Sequence, residues 1–516
     1  MRWSLRNGSS RPMAKVKPLR PGQGVAALTT VCAFVLSVTG CQLNGSVSPS
    51  PTPSREPPRP FTVMSTDLVR VTDPAAITDA ASAVVSLNVF QRLMTADPGQ
   101  SVLKPDAARD CIFTSTTIYS CTLNEGLTFH NGHPLTASDV KFSIQRATRL
   151  NVAGSSTSLL SSLRRIETPD EQTVRFQLSR PDTQFAWALA SPAASILDEE
   201  VYPQDDIRPP TESVVGSGPF AVAHRDERSL LLTRHGTYVG RNPAQMQALE
   251  YRTVPDSASI EDAMANGKVD VVWRGLNSAA ITRYSRQVRS SADRVTVDGF
   301  TEHTYVGERV IQLGWNPASA MRGNKPLRQA ITAALQGDRT LDSVVPPGIP
   351  GHVTSFPVGG KATPKITWKN RIPLTLAYDS TAPDALDIAT QVRTRLENSG
   401  GLSVQLRADT PVADLWLLDR KAWTSTGLAW LQPYIDAPLP TAATTIQTIV
   451  TEFRKTTDNE AAARLLGSLQ KQAAVDDVLV PMSQSDEYLY ARAGVEVSDA
   501  GFGPGWQLGL YGISNG

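Results

Sequence analysis

The sequence predicts an α/β protein of two or three domains. Three observations carry this expectation. A chain of 516 residues, 41% of them hydrophobic, can bury large cores and is too long for one ordinary domain. Short apolar or alternating runs of strand type recur between helices with one apolar face, the element order of α/β folds. The stretch 374–407 shows this most fully, with Leu374-Thr375-Leu376-Ala377-Tyr378 as a strand, 384–398 as a helix and 402–407 as a second strand, together a βαβ unit.

The N-terminal stretch reads as export and anchoring rather than fold. Basic residues up to Arg20 precede an apolar run from Val25 to Val38, short for a bilayer span and of the length of a signal-peptide core. The run ends Val38-Thr39-Gly40-Cys41, which resembles a bacterial lipobox, so 1–40 is expected to be cleaved and Cys41 to carry the lipid. Met13 is an alternative start that gives a signal of more usual length, and the other reading of Cys41 is an ordinary buried Cys after an apolar helix. Residues 42–60 hold six prolines among Ser, Thr and Gly with no apolar period, so 41–60 is expected to be an extended, lipidated tether.

Charge narrows the partners. The first forty residues hold six basic residues and no acid; the remainder keeps 44 basic of the total 50 against 49 acidic, a net charge of −5. A nucleic-acid partner calls for a concentrated basic face, which this composition does not supply. Of the four Cys, Cys32 lies in the signal and Cys41 is the lipid acceptor, which leaves Cys111 and Cys121. The segment between them is β-rich, so a structural disulfide across a hairpin is expected, worth roughly 2–3 kcal/mol. Two Cys are too few for a Cys-based metal site.

The remaining elements follow in order. Phe61-Thr62-Val63-Met64 is a first strand, 79–85 a helix, and Val174-Arg175-Phe176-Gln177-Leu178 alternates like a half-buried strand. A helix at 259–266 precedes the buried strand Val269-Asp270-Val271-Val272-Trp273. Val310 to Asn316 is a strand followed by a helix around 327–331, a further amphipathic helix covers 461–475, and Val478-Leu479-Val480-Pro481-Met482 starts the return toward the C-terminus. At 126–150 a strand through Leu127 and Phe129 meets Asn131-Gly132, a strong turn signal because both residues tolerate positive φ. Thr136 and Asp139 then form a capping-box pair ahead of a helix with Val140, Ile144 and Ala147 on one face.

This last stretch, with His130-Asn131-Gly132-His133-Pro134-Leu135-Thr136-Ala137-Ser138-Asp139-Val140, resembles the signature of the family 5 extracytoplasmic solute-binding proteins, the oligopeptide- and dipeptide-binding lipoproteins of ABC importers. Asn131 stands where the family usually has Asp. The resemblance continues at 87–93, at Pro105-Asp106-Ala107-Ala108, at the turn Val215-Gly216-Ser217-Gly218-Pro219-Phe220 and at 310–331. The turn reads equally as a ligand-facing loop or a domain-crossing one. The resemblance implies a bilobal periplasmic-binding-protein-like α/β fold (type II, cluster C-like) with discontinuous lobes, an inserted subdomain and a hinge. Lobe I would combine 60–85, 190–275 and 480–516, the inserted subdomain 86–189, and lobe II 276–479.

It also implies a site. Peptide-binding relatives hold the ligand between the lobes, and a carboxylate pairs with its α-amine. A gapless alignment over 413–423 puts Trp423 at the position of that carboxylate, with Asp419 and Asp436 as nearby substitutes, and Gln91 replaces a common Glu. Trp416, Trp423, Trp430 and Tyr434 fall within nineteen residues and offer aromatic surface for a ligand, although Trp416 lies in an apolar run and reads as core. The ligand-binding candidates are thus Gln91, Trp416, Asp419, Trp423, Trp430, Tyr434 and Asp436.

The expected role is a lipid-anchored, extracytoplasmic and monomeric binding protein that delivers a peptide-like or other small organic solute to ABC permease subunits. The alternatives are a binding lipoprotein of the envelope that keeps the fold without transport, and a secreted hydrolase. No Gly-x-Ser-x-Gly elbow, phosphate loop or partnered Cys nucleophile occurs, so no enzyme, cofactor or metal is expected. His130 and His133 sit on a turn with no third ligand following in sequence.

Overall fold

The structure is a computed structural model that describes residues 59–516 except 97–101, 361–369, 381, 383, 421, 499–500 and 502–507, together with the side chains of 306–308. The signal, Cys41 and all but the last two residues of the tether lie outside the described residues.

One ten-stranded sheet runs through the molecule. Its strands are β1 (Thr62–Ser65), β2 (Phe220–Arg225), β3 (Ser229–Arg234), β4 (Ala248–Thr253), β5 (Val271–Trp273), β6 (Phe300–Trp315), β7 (Ile372–Tyr378), β8 (Leu402–Ala408), β9 (Leu415–Arg420) and β10 (Leu479–Arg492). The spatial order is β8-β7-β9-β6-β10-β5-β1-β4-β3-β2. β1 is parallel to β4 and β5, and β7 is parallel to β8 and β9. All four residues of β1 and all three of β5 are buried, as expected of parallel strands covered on both faces.

The two long strands join the halves. β6 and β10 are antiparallel from Phe300↔Arg492 to Tyr305↔Glu487, and again from Arg309↔Ser485 to Gly314↔Leu479, with the register shifting between these stretches. Toward one end β10 pairs with β5; toward the other β6 pairs with β9. The sequence reading found only 310–316 and 478–482 of these strands. Their other ends alternate apolar with polar residues such as Glu302, Thr304 and Glu487, and a short apolar-run criterion stops before them.

Five helices matter for the site: α1 (Ala80–Val89), α2 (Ala137–Leu150), α3 (Ser278–Ser290), α4 (Ala385–Asn398) and α5 (Gly427–Asp436). α1 starts where Asp79 accepts from Ser82 N–H and is buried from Ser82 to Val89, an inner helix rather than a surface one. α3 packs Ala280 and Tyr284 with Met64, Ile260, Val272 and Tyr490, on the β1 side of the sheet. A second sheet holds Ala108–Ser115, Ile118–Leu123, Thr173–Leu178 and Leu163–Glu167 in spatial order. Cys111 and Cys121 face each other across its hairpin and are bonded, with Cα atoms 4.1 Å apart.

The stretch that opens into α2 departs from its expected strand. Leu127 and Phe129 flank a single bridge, Thr128 to Pro134, because the chain turns at once: Gly132 N–H donates to Phe129 O and Phe129 N–H to His133 O. Of the pair Asn131-Gly132, Gly132 alone takes positive φ, at 90°. The capping box forms as expected, and Val140, Ile144 and Ala147 are buried. The Asn131 amide donates to Asp198 at 2.7 Å beside His133 Nδ1 at 2.9 Å, so an amide serves where a second carboxylate would repel Asp198. The turn 215–220 resolves as structural. Gly218 N–H donates to Val89 O, and a Cβ on Gly216 would lie 2.0 Å from that same carbonyl oxygen.

Candidate functional site

The carboxyl ends of parallel strands from both halves of the sheet point toward one place. β1 leads into Asp67 and Arg70, β5 into Arg274, β7 into Asp379, and β9 ends in Asp419 and Arg420. Loops at the carboxyl ends of parallel strands are where open α/β sheets hold ligands. Here they enclose a cavity of about 290 Å³, lined also by the start of α1 (Thr78 to Ala81), Leu417, Leu418, Ala382 and Trp423.

Beside the cavity lies a hub of charge. Arg274 sits at φ 54° directly before Gly275 at φ 80°, a backbone turn that carries its guanidinium back across the ends of the strands. It pairs with Asp67 at 3.3 Å, Glu487 at 3.3 Å, and Asp419. Arg309 on β6 holds Asp384 with two bonds of 2.6 Å and reaches Asp419 at 3.3 Å. Burial by itself would lower the Arg274 guanidinium, but Asp419, Asp67 and Glu487 hold it well above its ordinary range. Burial pushes the Asp67 carboxyl up, and Arg274 offsets part of that rise. A second ion pair, Arg454 with Asp182, is buried elsewhere; Thr183 N–H also donates to Arg454 O at 2.8 Å.

The family described as "Bacterial extracellular solute-binding proteins, family 5 Middle" matches residues 103–449. The chain belongs to this family. A probable D,D-dipeptide-binding periplasmic protein of Escherichia coli K12, DdpA, is 29% identical over 209 residues, 39% of this chain and 40% of that protein. The probable ABC transporter periplasmic-binding protein SapA of the same organism is 22% identical over 364 residues, 66% of this chain and 60% of that protein. The chain thus spans about half the length of these two curated relatives. Among solved structures, DppA of Helicobacter pylori with the peptide STSA matches at a TM-score of 0.76 and 17% identity, covering 88% of this chain and 98% of that one. AgaA of A. tumefaciens R10 with agropinic acid matches at 0.75 and 19%, covering 89% and 98%. At these identities the likeness is one of fold, and the fold is the bilobal one.

Within this family 5 fold the seven sequence candidates separate. Trp423 lines the cavity, half-buried in the loop between β9 and α5, and packs against clusters that contain Phe90 and Leu189. Asp419 also lines it, with its carboxylate held by Arg274 and Arg309. Gln91 is buried and its amide donates to Val239 O at 2.9 Å, so it ties down a loop away from the cavity lining. Trp416 stands in β9 opposite Gly314 and Ala377, inside the sheet. Trp430 and Tyr434, 2% and 1% exposed, lie in the core around β6, β7 and β9. The polar stretch before Trp430, which suggests a cleft in the sequence, is the start of α5: Thr426 caps the helix and turns its apolar face inward. Asp436, at the exposed end of α5, accepts from Gln432 at 2.6 Å and does not line the cavity.

His130 and His133 also part company. His130 Nδ1 accepts from Gly216 N–H at 3.2 Å and Nε2 faces Gly218 O at 3.1 Å, while His133 pairs with Asp198. Burial pushes His130 down to about 4. Among the described residues no group of three or more His, Cys, Asp or Glu is placed to hold a metal.

Sequence reasoning missed Arg274, Arg309, Arg420 and the pair Arg454–Asp182. The available signal was a charged residue directly after an apolar strand: Val271-Val272-Trp273-Arg274 and Leu415-Trp416-Leu417-Leu418-Asp419-Arg420 both show it.

Proposed function

We propose that this chain is the lipid-anchored substrate-binding protein of an ABC importer and holds a peptide-like or other small organic solute between its lobes. The observation that carries the proposal is the cavity at the carboxyl ends of β1, β5, β7 and β9, with Trp423 in its lining. Lobe I would comprise 60–85, 190–275 and 480–516 together with α3, which packs on that side. The subdomain 86–189 would be inserted in it, and lobe II would take the rest up to 479. β6 and β10 are then the two crossings of a hinge, and closure about them would enclose the solute. The fold relatives hold a peptide and agropinic acid, which supports a small organic solute here. Anchoring at Cys41 rests on the lipobox-like sequence Val38-Thr39-Gly40-Cys41.

Mass spectrometry of ligand released from natively purified protein tests this reading. An organic solute released in near-stoichiometric amount, which stabilises the stripped protein when added back and is recovered unchanged, is the expected result. Turnover of that solute would overturn the binding role.

A further inference from the structure

The hub holds more negative charge than positive. Asp67 borders two spaces, the cavity of about 290 Å³ and a smaller void of about 30 Å³. Among the described residues, the walls of the two carry four guanidinium groups, Arg70, Arg274, Arg309 and Arg420. Against these stand seven carboxyl groups, Asp67, Asp79, Asp379, Asp384, Asp419, Asp486 and Glu487, and no His. Excess charge in a partly dry site is relieved by a counter-ion or by a proton. No group of three or more such side chains among the described residues is placed to hold a metal, whereas a proton needs only one carboxyl.

The ion pairs say which carboxyl that is. Arg309 holds Asp384 with two bonds, and Asp419 is held by both Arg309 and Arg274. Asp79 caps α1, and Asp379 is exposed to water. Asp67 and Glu487 each have Arg274 alone as an ion-pair partner, at 3.3 Å. Of these two, Asp67 alone also borders the larger cavity, through which a proton can arrive from solvent. Around Asp67 stand Arg274 after β5, Asp419 on β9, Glu487 on β10, Asp379 after β7 and Tyr251 on β4. Burial pushes the Asp67 carboxyl up, Arg274 offsets part of that rise, and Asp419, Glu487 and Asp379 add to it.

We infer that Asp67 takes up a proton in the folded protein under mildly acidic conditions, so that acid strengthens the hub that supports the cavity. A proton on Asp67 removes one of three charges competing for Arg274 and leaves that guanidinium to Asp419 and Glu487. A carboxyl that protonates more readily folded than unfolded adds stability as pH falls through its folded value, and that gain is lost again as pH rises. Water in the cavity favours the charged form. A solute that displaces this water favours the protonated one, so occupancy and protonation reinforce each other. That link rests on the solute-binding reading; the proton on Asp67 does not.

Infrared spectroscopy and chemical denaturation of the full chain test this. The carbonyl band of a protonated carboxyl should persist at about pH 6, where ordinary aspartates are ionised, and Asp67→Asn should remove it. The denaturation midpoint of Asp67→Asn should lie above the parent's near about pH 7.5, and the two should converge by about pH 5. Asp419→Asn, which takes a charge from two arginines, should lie below the parent near neutral pH. A parent without that band at about pH 6, or midpoints of parent and Asp67→Asn that run parallel with pH, overturns the inference. Calorimetry with an N-acetylated dipeptide amide, which has no titrating group of its own in this range, tests the link to the cavity. Binding about threefold tighter at about pH 5.5 than at about pH 7.5 is expected, and binding equal or weaker in acid overturns the link. Failure to bind at either pH counts against the solute-binding reading, while the band and the midpoints still decide the proton.

Discussion

The hub around Arg274 and the pair Arg454–Asp182 use the same chemistry at different degrees of saturation: three carboxylates around one guanidinium against one. Arg274, directly after β5, gathers Asp67 from the loop after β1, Asp419 from β9 and Glu487 from β10 around one guanidinium. Arg454, on the helix Ala443–Lys455, meets a single carboxylate from the segment after the second sheet. A rotation about the crossing moves a group in proportion to its distance from the axis. Under the proposed hinge, contacts at the hub would persist through opening, whereas the Arg454–Asp182 pair would separate and both ions would return to water. On that proposal one arrangement would fix the axis, and the other would add to the closed state only.

Four substitutions sharpen or break this contrast. The largest effect is expected from Arg274→Met. It leaves Asp67, Asp419 and Glu487 facing one another without their shared cation, and the loss of one partner from a buried cluster costs about 3–5 kcal/mol. Chemical denaturation should show that loss with or without ligand; a loss seen only with ligand would place the hub among the closure contacts instead.

Next comes Trp423→Ala, which truncates the aromatic side chain in the cavity lining. Binding should weaken by about 1–3 kcal/mol, the range of a buried aromatic anchor, while the hub keeps the apo protein near its parent stability. Calorimetry and thermal unfolding of one preparation give both numbers.

Asp182→Asn should act more weakly than Arg274→Met and on affinity rather than stability. If the pair forms only on the proposed closure, affinity should fall about tenfold, roughly 1.4 kcal/mol, with little change in apo stability. Small-angle scattering should show a larger share of the extended form at subsaturating ligand. An unchanged scattering curve and affinity would mean that the pair stays together in both states.

Cys41→Ala should change neither number. Its effect should appear only in fractionation, as release of a folded protein from the membrane, since the tether separates lipid from fold. A mutant that stays membrane-bound would move the anchor elsewhere.

Much of this fold was legible where one local rule sufficed. The βαβ unit at 374–407, the capping box at Thr136 and Asp139, and the disulfide at Cys111 and Cys121 depend on neighbours in sequence, so period, cap chemistry and Cys arithmetic found them. The candidate site was legible only in part. Trp423 and Asp419 reached the cavity, whereas Trp430 and Tyr434 turned into the core because the polar residues before them cap a helix.

What the sequence by itself determined is the set of local devices: the element types, the caps, the bonded hairpin and the family signature at 126–140. Their energies come from residues a few positions apart, so their cause is written in the chain. What the tertiary structure decided is which charges are spent. Arg274 and Asp419 are 145 positions apart, and Arg454 and Asp182 are 272 apart. Whether a guanidinium is saturated, like Arg274, or without an ion pair among the described residues, like Arg420, depends on which strand ends the sheet order brings together, and no local period encodes that order.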